Sequence, residues 1–170
     1  MRLFIAIQFE KNIIDALTDF QDDLRIKGVK GNYTKPENLH ITLAFIGEYG
    51  NPDDILDAME QVPFSPMKIS LDGVGRFGEL FWVGLSENPE LASYVKRLRR
   101  ELAARDIPFD RKKFSPHITL IRKISYRGGN RLPVDAAPEG SMTATRVSLM
   151  LSERGRNGMI YTEIGGVDAE

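Results

Sequence analysis

The sequence predicts an α+β fold made of two similar halves, each an antiparallel sheet with helices on its outer face. The first observation is that apolar strand patterns alternate with amphipathic helix patterns along the whole chain. The second is a repeat, in which His40-Ile41-Thr42-Leu43 recurs as His117-Ile118-Thr119-Leu120 at an offset of 77 positions (117 − 40). The third is that Leu3-Phe4 matches Leu80-Phe81 at this same offset. We therefore predict a bilobal duplication with a rough two-fold axis.

The first half is predicted to run strand, helix, strand, helix, strand. In the first helix, apolar residues recur every three or four positions between polar ones, which is typical of an amphipathic helix. A glycine-containing break follows it, and a glycine-rich turn follows the last strand. The predicted strands are Leu3–Phe9, His40–Ile46 and Lys68–Leu71, the helices are 12–26 and 51–62, the break is 27–32 and the turn is 72–75.

The second half repeats this order and ends with two further strands. Its helix carries Leu91, Val95, Leu98 and Leu102 on one side. No linker-like tract separates the halves, so we expect one domain that spans residues 1–170. The predicted elements are strand Leu80–Leu85, helix Pro89–Ala104, and strands His117–Ile121, Arg146–Leu151 and Met159–Ile164.

Composition limits the classes of function. The chain of 170 residues is 42% hydrophobic and 28% charged, with a net charge of −1, so its overall field does not attract polyanions. It has no cysteine, which removes disulfides, thiolate nucleophiles and cysteine zinc sites. No apolar run reaches the roughly 20 residues of a membrane-spanning helix, and the N-terminus is typical of a strand rather than a signal peptide. We expect a cytoplasmic protein with no membrane association.

The two histidines of the chain lie in the two copies of the repeated tetrapeptide. In a strand, residues i and i+2 share a face, so His40 and Thr42 point one way while Ile41 and Leu43 point into the core. The second copy follows the same pattern. A two-fold axis would bring the two His/Thr faces together across a central groove.

This set of groups favours phosphoryl chemistry. Near neutrality one imidazole can accept a proton from water while the other, protonated, donates one to a leaving alkoxide. Threonine hydroxyls can hold the non-bridging oxygens of a phosphate, and groups on opposite walls match in-line displacement. A metal site is the rival interpretation, but two histidines without cysteine or a nearby carboxylate are too few for a typical one.

Three segments resemble one family. The long first motif Pro36-Glu37-Asn38-Leu39-His40-Ile41-Thr42-Leu43-Ala44-Phe45-Ile46-Gly47-Glu48, the second motif at 114–120 and the N-terminal run at 2–7 are similar to the RNA 2′,3′-cyclic phosphodiesterases of the 2H phosphoesterase superfamily, once called 2′-5′ RNA ligases. The resemblance implies a bilobal α+β fold whose central groove is lined by the two HxTx strands. It implies hydrolysis of an RNA-terminal 2′,3′-cyclic phosphate to a 2′-phosphate.

By the same resemblance, His40 is the proton donor to the leaving 3′ oxygen and His117 is the proton acceptor that activates water. Thr42 and Thr119 bind the phosphate oxygens. No metal or organic cofactor is expected. The expected partners are RNA ends or nucleotides that carry a 2′,3′-cyclic phosphate, and we expect a monomer.

The chain departs from the family at two positions. Tyr33 stands near the place where the family usually has a tryptophan, and it is a candidate for stacking on a terminal base or, equally, for packing over the strand. Ile121-Arg122 replaces an alanine–arginine pair, and Arg122 is a candidate phosphate ligand. From 111 to 131 there are seven Lys or Arg and no Asp or Glu, which indicates either an RNA contact or an ordinary solvated face.

Two other functions stay open at this point. The same site run in reverse would join RNA ends through a 2′-5′ linkage, although water is abundant and ring opening is downhill. A non-catalytic nucleotide-binding module is the other alternative. The intact His/Thr pair in both halves argues against that module, because binding alone needs no proton donor and acceptor.

Overall fold

The computed structural model describes residues 1–129 and 131–170, and in these ranges it has nine strands, three α-helices and one short 3₁₀ turn. The strands are β1 (Arg2–Gln8), β2 (Lys30–Tyr33), β3 (His40–Glu48), β4 (Met67–Phe77), β5 (Leu80–Leu85), β6 (His117–Ser125), β7 (Ser141–Ala144), β8 (Arg146–Gly155) and β9 (Gly158–Asp168). The helices are α1 (Lys11–Ile26), α2 (Pro52–Glu60) and α3 (Pro89–Ala104), and the 3₁₀ turn is Pro36–Asn38.

The strands form two antiparallel sheets with matching orders. The first sheet has the order β3-β1-β8-β9 and the second has the order β2-β6-β5-β4-β7. The four strands of the first sheet correspond, in order, to the last four strands of the second: β3 to β6, β1 to β5, β8 to β4 and β9 to β7. The predicted duplication is therefore confirmed, and β2 is an additional edge strand of the second sheet.

Each long helix packs on the sheet of the other half. Helix α1 follows β1 of the first sheet, but its Phe20 ring lies 6.2 Å from Phe81 on β5, and it also contacts β7. Helix α3 follows β5 of the second sheet but contacts β3 of the first. Because the helices cross over, neither half buries its own core alone.

Strand β1 is buried on both faces, which explains its unbroken apolar sequence. Leu3, Ile5 and Ile7 are fully buried in the main core beneath the helices. Phe4 and Ala6 face the other way, into a small apolar cluster with Met150. Burial of each large aliphatic or aromatic side chain contributes roughly 1.5–3 kcal/mol, so β1 is a rigid base for the strands beside it.

Several predicted boundaries were wrong. The break predicted at 27–32 includes the start of β2, and β7 was not predicted. The turn predicted at 72–75 is a bulge within β4, between Leu71 and Val74, where Gly73 has φ of +78°. A bulge bends a strand without ending its pairing, so glycines here do not mark a turn. Strand β3 likewise runs past Gly47, α2 ends earlier than predicted, and β8 and β9 are longer than predicted.

Within the described ranges, no helix is both long enough and apolar enough to cross a lipid bilayer.

Candidate active site

A groove of about 1620 Å³ lies between the two sheets and is lined by all six candidate site residues. The first sheet contributes strands β1, β3, β8 and β9, and the second contributes β2, β5 and β6. The predicted site residues that line it are Tyr33, His40, Thr42, His117, Thr119 and Arg122. The two tetrapeptides therefore meet across one cavity, as the repeat predicted.

Local strand geometry orients the motif side chains. In β3, Ile41 and Leu43 are fully buried, while His40 and Thr42 face the groove. In β6, Ile118 and Leu120 are likewise fully buried beneath His117 and Thr119. The alternation of apolar and polar residues is what turns two imidazoles and two hydroxyls toward the same space.

Each imidazole is anchored by the main chain two residues before it. His40 Nδ1 lies 2.7 Å from Asn38 O, and His117 Nδ1 lies 2.7 Å from Ser115 O. A carbonyl oxygen can only accept a hydrogen bond, so both Nδ1 atoms carry hydrogen. The nitrogen of each ring that is available for proton exchange is therefore Nε2, which can accept a proton when the ring is neutral and donate one when it is charged.

Aromatic rings fix each imidazole from the side. The Phe4 ring lies 4.9 Å from the His40 ring, and Tyr161 meets it edge-on at 5.4 Å. The Phe77 ring meets His117 edge-on at 5.3 Å, and Trp82 lies 6.2 Å away. These contacts restrict rotation of the two imidazole rings, so each Nε2 atom keeps one orientation.

A glycine makes room for Trp82 beside His117. Gly75 on β4 pairs with Trp82 on β5, and a Cβ atom at Gly75 would clash with the indole ring. No larger residue fits at that position unless Trp82 moves. This β4–β5 pairing thus places the Trp82 ring beside His117.

The surroundings of His40 favour its neutral form. Burial is the main cause that lowers the pKa of His40, and the positive charge of Arg122 and the nearby His117 lower it further, against the hydrogen bond to Asn38 O. Nε2 of His40 lies 2.9 Å from Thr42 Oγ1. In the neutral ring the threonine hydroxyl donates to Nε2, and in the imidazolium Nε2 donates to the hydroxyl.

Tyr33 is held in place from two sides. Its hydroxyl donates to Val29 O at 2.7 Å, and the guanidinium of Arg25 lies 4.2 Å from the ring centroid. Burial raises the pKa of its phenol. Because Arg25 covers one face of the ring, a nucleobase has only the opposite face for stacking. These contacts correspond to the packing interpretation of Tyr33, and base stacking stays a prediction.

The cations of the groove differ from those that the sequence emphasised. Of the seven basic residues between 111 and 131, Arg122 lines the groove and the other six do not. The sequence missed Arg2, Arg25, Lys35 and Arg154, which come from four separate segments and line the groove with Arg122. Only the tertiary fold gathers them, and no run of charge in the sequence indicates it.

The described residues hold no cluster of three or more His, Asp or Glu side chains with the geometry to bind a metal ion.

Sequence comparison matches the chain to a known family and to individual relatives. Residues 13–156 match the model of the 2′-5′ RNA ligase superfamily. The chain is 35% identical over 131 residues to the RNA 2′,3′-cyclic phosphodiesterase of Archaeoglobus fulgidus, with 72% of each protein covered. It is 30% identical over 181 residues to the protein of the same description from Methanothermobacter thermautotrophicus, with 96% of each covered.

A solved structure has the same fold. Escherichia coli LigT, crystallised in complex with phosphate, superposes with a TM-score of 0.78 at 26% identity. The superposition covers 99% of this chain and 96% of LigT.

Proposed function

This chain belongs to the 2′-5′ RNA ligase superfamily, and from that premise we propose that it hydrolyses the 2′,3′-cyclic phosphate of an RNA end to a 2′-phosphate, using two histidines and no metal. The observation that carries the proposal is the matched pair of imidazoles. Both line one groove, and both are anchored through Nδ1, so that Nε2 is the reactive atom of each.

In the proposed reaction, His117 is the proton acceptor. Its neutral Nε2 takes a proton from a water molecule as the water oxygen attacks phosphorus. The bond from phosphorus to the 3′ oxygen breaks on the opposite side, and the 3′ oxygen takes a proton from Nε2 of His40. The products are a 3′-hydroxyl and a 2′-phosphate, and the proton gained by one imidazole balances the proton lost by the other.

Three side chains are proposed to hold the phosphate. Thr42 and Thr119 stand two residues after the histidines on the same strand faces, so their hydroxyls can donate to the non-bridging oxygens. Arg122 lines the same groove and supplies a positive charge near phosphorus. Three donors around one anion also hold phosphorus in line between the two Nε2 atoms.

The groove is larger than a single nucleotide needs. Pockets for small ligands commonly have volumes of about 300–1,000 Å³, whereas this groove has about 1620 Å³. Arg2, Arg25, Lys35 and Arg154 line it in addition to the motif residues and can contact phosphates along a chain. This supports an RNA end as the substrate, in agreement with the descriptions of the two archaeal relatives.

The decisive assay uses a defined oligoribonucleotide that ends in a 2′,3′-cyclic phosphate. The parent protein is expected to convert it to the 2′-phosphate, with the position of the product phosphate assigned by ³¹P NMR. A 3′-phosphate product would mean that the 2′ oxygen is the leaving group, which would contradict the proposed reaction. No conversion would refute the hydrolase, and a new 2′-5′ linkage to an added 5′-hydroxyl end would favour the ligase.

Metal independence is tested in the same assay. Since the proposed reaction needs only imidazoles, hydroxyls and a guanidinium, activity is expected to survive dialysis against EDTA without change. Loss of activity on chelation, followed by recovery with zinc, would contradict the proposal.

A further inference from the structure

The side chain of Arg99 on α3 joins two segments that belong to different histidines. Its Nε and one terminal nitrogen donate to Leu43 O at 3.3 and 3.2 Å, and the other terminal nitrogen donates to Lys112 O at 2.6 Å. Leu43 ends the tetrapeptide of His40, whereas Lys112 lies in the segment that leads into His117. The guanidinium also lies between the rings of Phe109 and Phe114, at 5.7 and 5.8 Å.

Gln21 on α1 makes the same connection from the other half. Its Nε2 donates to Leu120 O at 3.1 Å and to Thr34 O at 3.0 Å, and the residue is 1% exposed. Leu120 ends the tetrapeptide of His117, and Thr34 lies in the segment that leads into His40. The amide group of Gln21 thus connects strand β6, which carries His117, to the segment that precedes His40.

The two connections are related by the internal repeat. Gln21 and Arg99 are 78 positions apart (99 − 21), as are their partners Thr34 and Lys112 (112 − 34), and the two leucines are 77 apart (120 − 43). Backbone bonds accompany both connections, from Thr34 N to Leu120 O and from Asp110 N to Phe45 O, each at 2.8 Å. Because the internal repeat relates the contacts of Gln21 to those of Arg99, these contacts are a feature of the duplicated fold rather than of local packing.

We propose that Gln21 and Arg99 are positioning residues that set the relative placement of the two catalytic imidazoles. His40 and His117 are each anchored to a carbonyl of the preceding segment, at Asn38 and Ser115. Gln21 and Arg99 tie that preceding segment to the strand of the opposite histidine. The contacts of these two helices therefore couple the position of each imidazole to that of the other, although the two imidazoles lie on different sheets.

The consequence for catalysis follows from in-line geometry. A proton donor and acceptor that act on one phosphorus must keep their separation, and a misplacement of about 1 Å can cost about 100-fold in rate. The proposal uses the hydrolase described above for its kinetic readout, but the placement of the imidazoles can be measured without a substrate.

The kinetic test compares Arg99→Met and Gln21→Met with matched controls on the same helices. Arg97→Met removes an arginine whose bond is to Pro63 O, and Asn12→Ala removes an amide whose bond is to Ser141 O. We expect kcat per folded molecule to fall about 100-fold in each test variant, with KM changed less than about threefold. Arg99→Lys keeps a cation with fewer fixed donors, and it is expected to lose about tenfold.

The structural test is an NMR titration of the imidazoles, which is simple to assign because the chain has two histidines. In the parent, His117 and Arg122 lower the pKa of His40 through space. If Arg99→Met lets the motif strands move apart, this coupling weakens and the pKa of His40 rises above its parent value. In Arg97→Met it stays at that value.

Two outcomes decide the proposal. A fall in kcat together with a shifted His40 titration supports it. An unchanged kcat per folded molecule, with only a lower melting temperature, makes the two residues merely structural and overturns it. If Arg99→Met does not fold, Arg99→Lys and Gln21→Met decide by the same readouts. If the parent does not cleave a cyclic phosphate, the hydrolase proposal fails, and the titration still decides the role of Gln21 and Arg99.

Discussion

The two histidines have the same backbone anchor but different aromatic neighbours. Both rings use Nδ1 to bind a carbonyl two residues earlier, at the same distance of 2.7 Å. His40 lies against Phe4, which is 4% exposed, whereas His117 lies against Phe77, which is 51% exposed. The repeat thus determines the position of the two imidazole rings, and the difference in exposure of Phe4 and Phe77 gives the rings different access to water.

This difference suits an acid and a base. Burial lowers the pKa of His40, so its imidazolium is a stronger acid toward a leaving alkoxide, although fewer free molecules carry that proton. A bound phosphodiester brings a negative charge that favours protonation of His40 again. The more exposed surroundings of His117 suit its proposed role in activating a water molecule.

The largest effect is expected from the histidines themselves. His40→Ala and His117→Ala should each lower kcat on the cyclic phosphate by about 10²–10⁴-fold, since each removes one proton transfer. A substrate with a nitrophenolate leaving group needs no proton donor. On bis(p-nitrophenyl) phosphate, the loss should therefore shrink for His40→Ala and persist for His117→Ala. The opposite pattern would exchange the two roles.

The threonines are expected to come next, with a difference between them. Thr42→Val and Thr119→Val each remove a hydroxyl from the proposed phosphate site, which should cost about 100-fold in kcat. Thr42 Oγ1 also lies 2.9 Å from Nε2 of His40, so only Thr42→Val should also change the pH dependence. Thr143→Val, on β7, is the isosteric control and should leave the rate unchanged.

A smaller effect is expected at Arg122. Arg122→Met should lower kcat/KM about tenfold, because one charge-assisted contact to the phosphate is lost. The pKa of His40 should rise, since Arg122 is one of the charges that lower it. NMR titration checks that direction. Arg127→Met removes the same charge outside the groove, and an equal response there would contradict a specific role for Arg122.

Tyr33 is expected to give the smallest effect. Loss of a stacking platform costs about 1 kcal/mol or more per base, so Tyr33→Leu should raise KM for an oligonucleotide about fivefold. Tyr33→Phe keeps the ring and loses the bond to Val29 O, so its KM should stay within about twofold. Equal KM values for parent and Tyr33→Leu would assign Tyr33 to packing alone.

The sequence was sufficient for the parts of the site that depend on local geometry. The period-2 pattern of the tetrapeptides determined which side chains face the groove, and the offset of the repeat predicted that His40 and His117 share a cavity. Both follow from strand geometry and from the symmetry of a duplication. The structure brings together all six candidate residues, while their chemical roles stay predictions.

Other features lay beyond local patterns. The short edge strands β2 and β7 have little apolar sequence of their own and pair because a neighbouring strand offers its edge. The exchange of α1 and α3 between the halves depends on tertiary packing, and an amphipathic pattern does not say which sheet it will cover. Arg2, Arg25, Lys35 and Arg154 are far apart in the sequence, so charge clustering misses them.

The central claim is that one charged and one neutral imidazole act on a single phosphorus atom, and the pH dependence of kcat/KM tests it most directly. The parent should give a bell-shaped profile. His117→Ala should lose the acidic limb, because no base remains that must be neutral, and His40→Ala should lose the alkaline limb, because no acid remains that must be protonated. A profile in which both limbs persist in either variant would contradict the two-histidine mechanism.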